Sequence, residues 1–223
     1  MPGLNLIIEA FNEKSFERRF EYLYCLRANQ RLFDKILIFR DGPTTWADDA
    51  MNVEFVKEEK RLSFQEAIRW GGANLSSPFV IANSDIEFKK DIQNAWHVPP
   101  GVIGYVTRWN NTENGWVPGW TNERSVGAGW PLYGFDAWVF CPPVKPVTGN
   151  TLLGTTMCDY CNTHYFLLAG YRVASISRFV TAWHHHAHRS LEVEGNRPRA
   201  EGEFYIDVLP VLISHLADLD SIR

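Results

Sequence analysis

The sequence predicts an α/β fold, one domain built on a mostly parallel sheet flanked by helices. Two observations carry the prediction. From Leu4 to Ala82, short apolar runs alternate with helical patterns, the order that gives a parallel sheet with helices on its faces. The run Phe79-Val80-Ile81-Ala82 then leads directly into Asn83-Ser84-Asp85-Ile86-Glu87-Phe88. Polar and acidic groups there stand where open α/β sheets bind ligands, beyond the carboxyl ends of the strands. At 223 residues the chain is long enough to bury a full core.

The elements follow in order. Leu4 to Ala10 reads as a buried strand. Glu13 to Asn29 carries Phe16, Phe20, Leu23 and Leu26 at helical spacing, which predicts an amphipathic helix with that face inward. Lys35 to Phe39 is a second strand, with Arg40-Asp41-Gly42-Pro43 a turn past its end. Val53 to Val56 is a short third. Ser63-Phe64-Gln65-Glu66 has the S-x-x-E pattern of a capping box and opens a helix running to about Ala73. Phe79 to Ala82 is the fourth strand and Val102 to Thr107 the next. Trp109 to Pro131 holds Trp109, Trp116, Trp120 and Trp130 without a clean period and reads as a long loop, usually a functional or mobile feature. Phe135 to Cys141 is a strand. Asp159 to Ala169 is a helix ended by Gly170. Arg172 to Ser175 and Phe179 to Trp183 are extended. Ser190 to Glu203 has the polar composition of a mobile segment, and Tyr205 to Leu219 reads as a closing helix.

Bulk properties exclude several functions. A formal charge of −4 argues against nucleic acid as a partner. No apolar run reaches the roughly 18 residues of a membrane span. The N-terminus Met1-Pro2-Gly3-Leu4-Asn5 lacks a basic stretch followed by an apolar one, so no signal peptide is expected and a cytoplasmic location is. The sequon Asn110-Asn111-Thr112 is therefore expected to stay unmodified. Cys158 and Cys161 have CxxC spacing, but no second pair completes a zinc site and no strand leads into this one. Buried, reduced thiols at a helix start are expected.

Two clusters carry chemistry. Asp85 and its neighbours are placed to hold a hard cation against phosphate oxygens, against the plain alternative of a polar turn. His184-His185-His186-Ala187-His188 follows a short apolar run. In extended backbone His186 and His188 point the same way, and imidazole suits Mn²⁺ better than Mg²⁺ or Ca²⁺. A histidine-rich surface tract is the alternative. The tryptophan-rich loop suits a sugar acceptor, because aromatic rings pack against sugar C–H groups. Trp109, Trp116 and Trp120, with Asn110 and Asn111, are the candidates, and core or lid packing is the alternative.

Six motifs in order resemble a nucleotide-sugar-dependent glycosyltransferase of the GT-A fold, a Rossmann-related architecture. They are Glu9-Ala10-Phe11-Asn12-Glu13; Arg40-Asp41-Gly42; Asn83-Ser84-Asp85, a variant of the family's DXD metal motif; Leu132 to Phe140; Gly154-Thr155-Thr156-Met157-Cys158-Asp159, entering a helix that ends Ala169-Gly170-Tyr171-Arg172-Val173; and His186-Ala187-His188-Arg189-Ser190, similar to a closing H-x-H-x-S. The resemblance covers Leu4 to about Ser190. It implies a nucleotide-binding half over residues 1–107, an acceptor and catalytic half over 108–190, and a mobile segment with a C-terminal helix over 191–223.

The resemblance also implies roles. Glu9, Ala10, Phe11, Asn12, Asp41, Arg61, Asn83 and Ser84 would contact the donor, expected to be a UDP-sugar. Asp85, His186 and His188 would hold Mn²⁺, with Mg²⁺ the alternative. Asn83 replaces the family's first Asp, so it offers a neutral oxygen or a ribose contact. Asp159 matches the acid that opens the helix and would take the acceptor hydroxyl's proton in an inverting hexosyl transfer. Asp136 is the second candidate base, or a ligand of sugar hydroxyls. Lys60 and Arg61 are candidate phosphate contacts, with a solvated charge run as the alternative. A metal-dependent hydrolase or nucleotidyltransferase using the same ligands, and a non-catalytic carbohydrate-binding protein using the tryptophans, are the rival functions.

Overall fold

The computed structural model describes residues 3–10, 13, 15–40, 47, 53–57, 60–112, 115–118, 135–155 and 158–185. They form β1 (Asn5–Ala10), α1 (Phe16–Asn29), β2 (Lys35–Arg40), β3 (Val53–Lys57), α2 (Phe64–Asn74), β4 (Phe79–Ala82), β5 (Ile86–Phe88), a 3₁₀ segment (Lys90–His97), β6 (Val102–Thr107), β7 (Trp109–Thr112), β8 (Gly115–Pro118), β9 (Phe135–Phe140), α3 (Cys158–Leu168), β10 (Arg172–Ser175) and β11 (Ala182–His184).

The main sheet has the order β10-β6-β9-β4-β1-β2-β3. β9 runs antiparallel to both neighbours, while the other pairings are parallel. Strand alternation divides the core into two layers. Leu6, Ile8, Ile36, Ile38, Val80 and Ala82 face α1 and the 3₁₀ segment. Ile7, Leu37, Phe39, Phe79 and Ile81 face the opposite layer with α2 and α3. This is the expected α/β architecture, and it sets the ends of β1 and β4 beside the beginning of β9, because β9 enters from the opposite direction.

Each helix has a local reason for its position. The Ser15 hydroxyl accepts from the Arg18 amide to start α1. At α2, Ser63 and Glu66 complete the expected reciprocal capping box. The segment before α3 zips onto this helix start: Phe64 N–H donates to Thr151 O and Leu153 N–H to Leu62 O. Gly170, at φ 75°, ends the turn after α3. Cys158 and Cys161 are buried free thiols at the start of α3, as expected.

Some expectations are corrected. α1 does not bury the Phe16 and Phe20 face, for these residues are 75% and 63% exposed. It buries Tyr22, Cys25, Leu26 and Asn29. Asn29 replaces apolar contact with hydrogen bonds, donating to Ile86 O and accepting from Phe88 N–H. The stretch beginning at Trp109 is not wholly irregular, because β7 and β8 form an antiparallel hairpin there. With β5 and β11 they make a second sheet, ordered β5-β11-β7-β8. The extended piece expected from Phe179 begins only at Ala182, since Phe179 and Val180 close a turn onto Ile176 O. The expected C-terminal mobile segment and helix lie outside the described residues.

Candidate functional site

The carboxyl edge of the main sheet gathers charged side chains from distant parts of the chain. Glu9, near the end of β1, is 5% exposed. Its carboxylate accepts from Leu62 N–H at 2.7 Å and from Arg61 Nη2 at 2.9 Å. Arg61 also donates to Leu153 O at 2.6 Å. The main chain thereby holds both members of this pair at the entrance to α2. Lys60 turns instead to Glu66, at 2.7 Å, on the exposed flank of the helix.

After β4 the chain turns through Asn83 and Ser84. Asn83 Nδ2 donates to Asp136 Oδ1 at 2.8 Å, and its backbone N–H donates to Asp136 O at 3.1 Å. The Ser84 hydroxyl donates to Glu9 O. The turn is therefore stitched to β1 on one side and β9 on the other, with Ala10 buried at the end of β1. Gly154 closes over it: a Cβ at this positive-φ position (69°) would stand 3.8 Å from Asn83 Oδ1 and 3.9 Å from Arg61 Nη2.

Asp136 and Asp159 form the centre of the edge. Arg108, immediately after β6, places Nη1 3.2 and 3.1 Å from the two Asp136 oxygens. Asp136 raises the Arg108 pKa against the opposing effect of burial, and Asp85 and Asp159 add to the rise. Asp159, in the first turn of α3, accepts from Phe135 N–H at 3.2 Å. Burial first, then the nearby Asp136 charge, push its pKa from 3.8 up to about 6. Two carboxyls in unlike surroundings, one gripped by arginine and one with its pKa raised by burial, suit separate tasks in acid and base chemistry.

Asp85 turns to another group of partners. Its Oδ2 accepts from Arg18 Nη2 at 2.8 Å and lies 3.1 Å from His184 Nε2. Glu87 meets the next histidine, His185 Nε2, at 2.6 Å, and also Lys89. Adjacent histidines of one extended segment thus hold the two acids separately. Among the described residues, no three His, Cys, Asp or Glu side chains stand together as a cation site. His186, His188, Phe11, Asn12, Asp41 and Trp120 lie outside the described residues.

The second sheet carries the tryptophans. Trp116 stacks on Trp183 with centroids 4.5 Å apart and planes 11° apart. Lys89 Nζ stands 3.2 Å over the Trp183 ring. Trp116 also meets His185 at 5.1 Å, and Tyr24 meets the same imidazole at 4.8 Å. Trp109 pairs with Trp183 in the β7–β11 register, which puts both on one face.

Sequence reasoning missed Arg18, Arg108 and Trp183 as parts of these clusters, and within the histidine tract it gave His184 and His185 no role. Arg18 sits among other charges, between Glu17 and Arg19, and Arg108 follows a strand run with no motif around it. Trp183 and the histidines did carry a signal, since alternation from Ala182 separates His184 from its neighbours Trp183 and His185.

The sequence matches no family model and no curated protein. Among solved structures, the chain is similar to the mannosyltransferase PcManGT from Pyrobaculum calidifontis in complex with GDP-Man and Mn²⁺, at 13% identity and TM-score 0.51, covering 99% of this chain and 75% of that one. It is also similar to GalNAc-T7 with UDP, GalNAc and Mn²⁺, at 10% identity and TM-score 0.51, covering 91% of this chain and 45% of that one. The chain spans less than half of GalNAc-T7. At these identities the likeness shows the fold alone.

Proposed function

We propose that this chain is a metal-dependent glycosyltransferase of the GT-A type. It moves a hexosyl group from a nucleotide diphosphate donor, with UDP-sugars the first to test, to a carbohydrate hydroxyl with inversion. The observation that supports this reading best is the convergence of Arg61, Asn83, Arg108, Asp136 and Asp159 at one sheet edge. The fold is also shared with transferases whose structures hold nucleotide sugars or nucleotides with Mn²⁺.

Asp159 is the base. Its raised pKa favours accepting a proton from the acceptor hydroxyl as the new glycosidic bond forms. Asp136, oriented by Arg108 and Asn83, binds sugar hydroxyls. Arg61, fixed by Glu9, offers positive charge to the diphosphate. Trp109 and Trp116, together with Trp120, receive the acceptor sugar.

The chemistry around Asp85 supports a cation. Asp85 is a buried carboxylate that already collects the Arg18 guanidinium, a resident positive charge, and the His184 imidazole. Carboxylate with imidazole is a donor set that suits Mn²⁺. Asp85 with His186 and His188 would hold Mn²⁺ or Mg²⁺, which would offset the negative charge of the departing nucleoside diphosphate.

The test is a screen of UDP- and GDP-sugars with Mn²⁺ and mixed glycan acceptors, resolving transferred sugar from hydrolysed sugar. The proposal expects a new glycoside that requires acceptor. Sugar release at the same rate with and without acceptor would identify a hydrolase instead.

A further inference from the structure

Contacts on both terminal nitrogens hold Arg18, and they lead in two directions. Nη2 donates to Asp85 Oδ2 at 2.8 Å and to the Tyr22 hydroxyl at 3.1 Å. Nη1 meets Glu21, one helical turn along, and His185 O at 3.4 Å. Ser15 caps the helix turn from which the side chain projects. Burial is the largest single influence and works against the Arg18 charge, but Asp85, Tyr22 and Glu21 together outweigh it, and the guanidinium pKa rises. It is thus a permanent cation, 19% exposed, against a carboxylate that is 8% exposed.

A guanidinium and a divalent ion on the same carboxylate oxygen repel each other strongly where solvent screening is poor. We propose that Arg18 is a built-in competitor of the divalent cation, neutralising Asp85 when the ion is absent and leaving that oxygen when the ion binds. The inference rests on the reading of Asp85 as a metal ligand. The side chain has somewhere to go. Glu21 already holds Nη1, and the Tyr22 hydroxyl can keep Nη2, so leaving Asp85 strands no charge. The fork geometry of arginine permits this double hold, whereas a lysine ammonium is a single point charge on a flexible stem. The competition weakens metal binding to the donor-free protein and makes Arg18, a residue of α1 outside every motif of the sheet edge, a determinant of metal affinity.

The experiment is calorimetric titration of Mn²⁺ into the full chain without nucleotide, for wild type, Arg18→Gln and Asp85→Asn. The inference expects Arg18→Gln to bind Mn²⁺ on the order of tenfold more tightly than wild type, and Asp85→Asn to lose binding. Unchanged Mn²⁺ affinity in Asp85→Asn would overturn the reading of Asp85 as a ligand, and the inference with it. Lost binding in Asp85→Asn, with no gain in Arg18→Gln, would leave that reading standing and overturn the inference alone. A measurement on unmodified protein guards against a variant that misfolds. The Arg18 guanidinium NMR signal should move as diamagnetic Mg²⁺ saturates the protein, and a signal that stays fixed while Mg²⁺ binds would overturn the competition.

Discussion

The backbone N–H of Phe135 donates to the Asp159 carboxylate at 3.2 Å, tying the first turn of α3 to the first residue of β9. That bond brings Asp159 beside Asp136, the next residue of β9, whose charge adds to burial in raising the Asp159 pKa to about 6. If Asp159 is the base, transfer should rise with pH through about 6. Asp136→Asn should lower that inflection, because it removes a negative neighbour. A kcat–pH profile of both proteins checks the claim, and an unmoved inflection would separate Asp136 from the titration.

The same shift has a consequence for stability. A carboxyl whose folded pKa lies above its unfolded value favours the folded state when protonated, and this contribution is lost as pH rises through about 6. Asp159→Asn should therefore melt higher than wild type at pH 8, with the gain vanishing near pH 3.5. Thermal melts at the two pH values decide it.

Arg108 and Asp136 are expected to depend on each other. Arg108→Gln leaves a carboxylate at 7% exposure without its guanidinium. The loss should be about 2 kcal/mol by urea unfolding, the range for a hydrogen bond to a charged group. Adding Asp136→Asn should restore part of it, since the stranded charge is then gone. Simple additivity of the two losses would contradict this account.

The capping box offers a test of stability at the entrance to α2. Ser63→Ala removes the acceptor of the Glu66 N–H and the partner of the Glu66 carboxylate. It should cost about 1 kcal/mol of stability. Chemical denaturation measures it directly.

Trp183 is expected to matter through Trp116. The two rings stack at 4.5 Å, and Lys89 covers Trp183. Trp116→Ala and Trp183→Ala should each raise the acceptor KM several-fold with little change in donor KM. A fall in kcat with both KM values unchanged would remove the tryptophans from acceptor binding.

What could be read in the sequence was local or periodic. The strands β1 to β4 announced themselves as apolar runs, and Ser63 with Glu66 announced α2. The face of α1 was misread because Asn29, a polar residue, lies on the buried side and satisfies the backbone of β5. The β7–β8 hairpin was hidden because tryptophan and asparagine in Trp109–Thr112 do not produce a clean apolar alternation. Asp85, Asp136 and Asp159 stood out as acids at element ends. Their partners Arg18 and Arg108 did not, because only the fold brings residues this distant in sequence together.

The central claim is that the sheet edge binds a nucleoside diphosphate with the help of a divalent ion. Calorimetric titration of UDP, and separately GDP, into the full chain with Mn²⁺ tests it most directly. The account predicts saturable binding of at least one nucleotide that disappears when the metal is chelated. Nucleotide binding of undiminished strength after chelation, or none with either nucleotide, would contradict it.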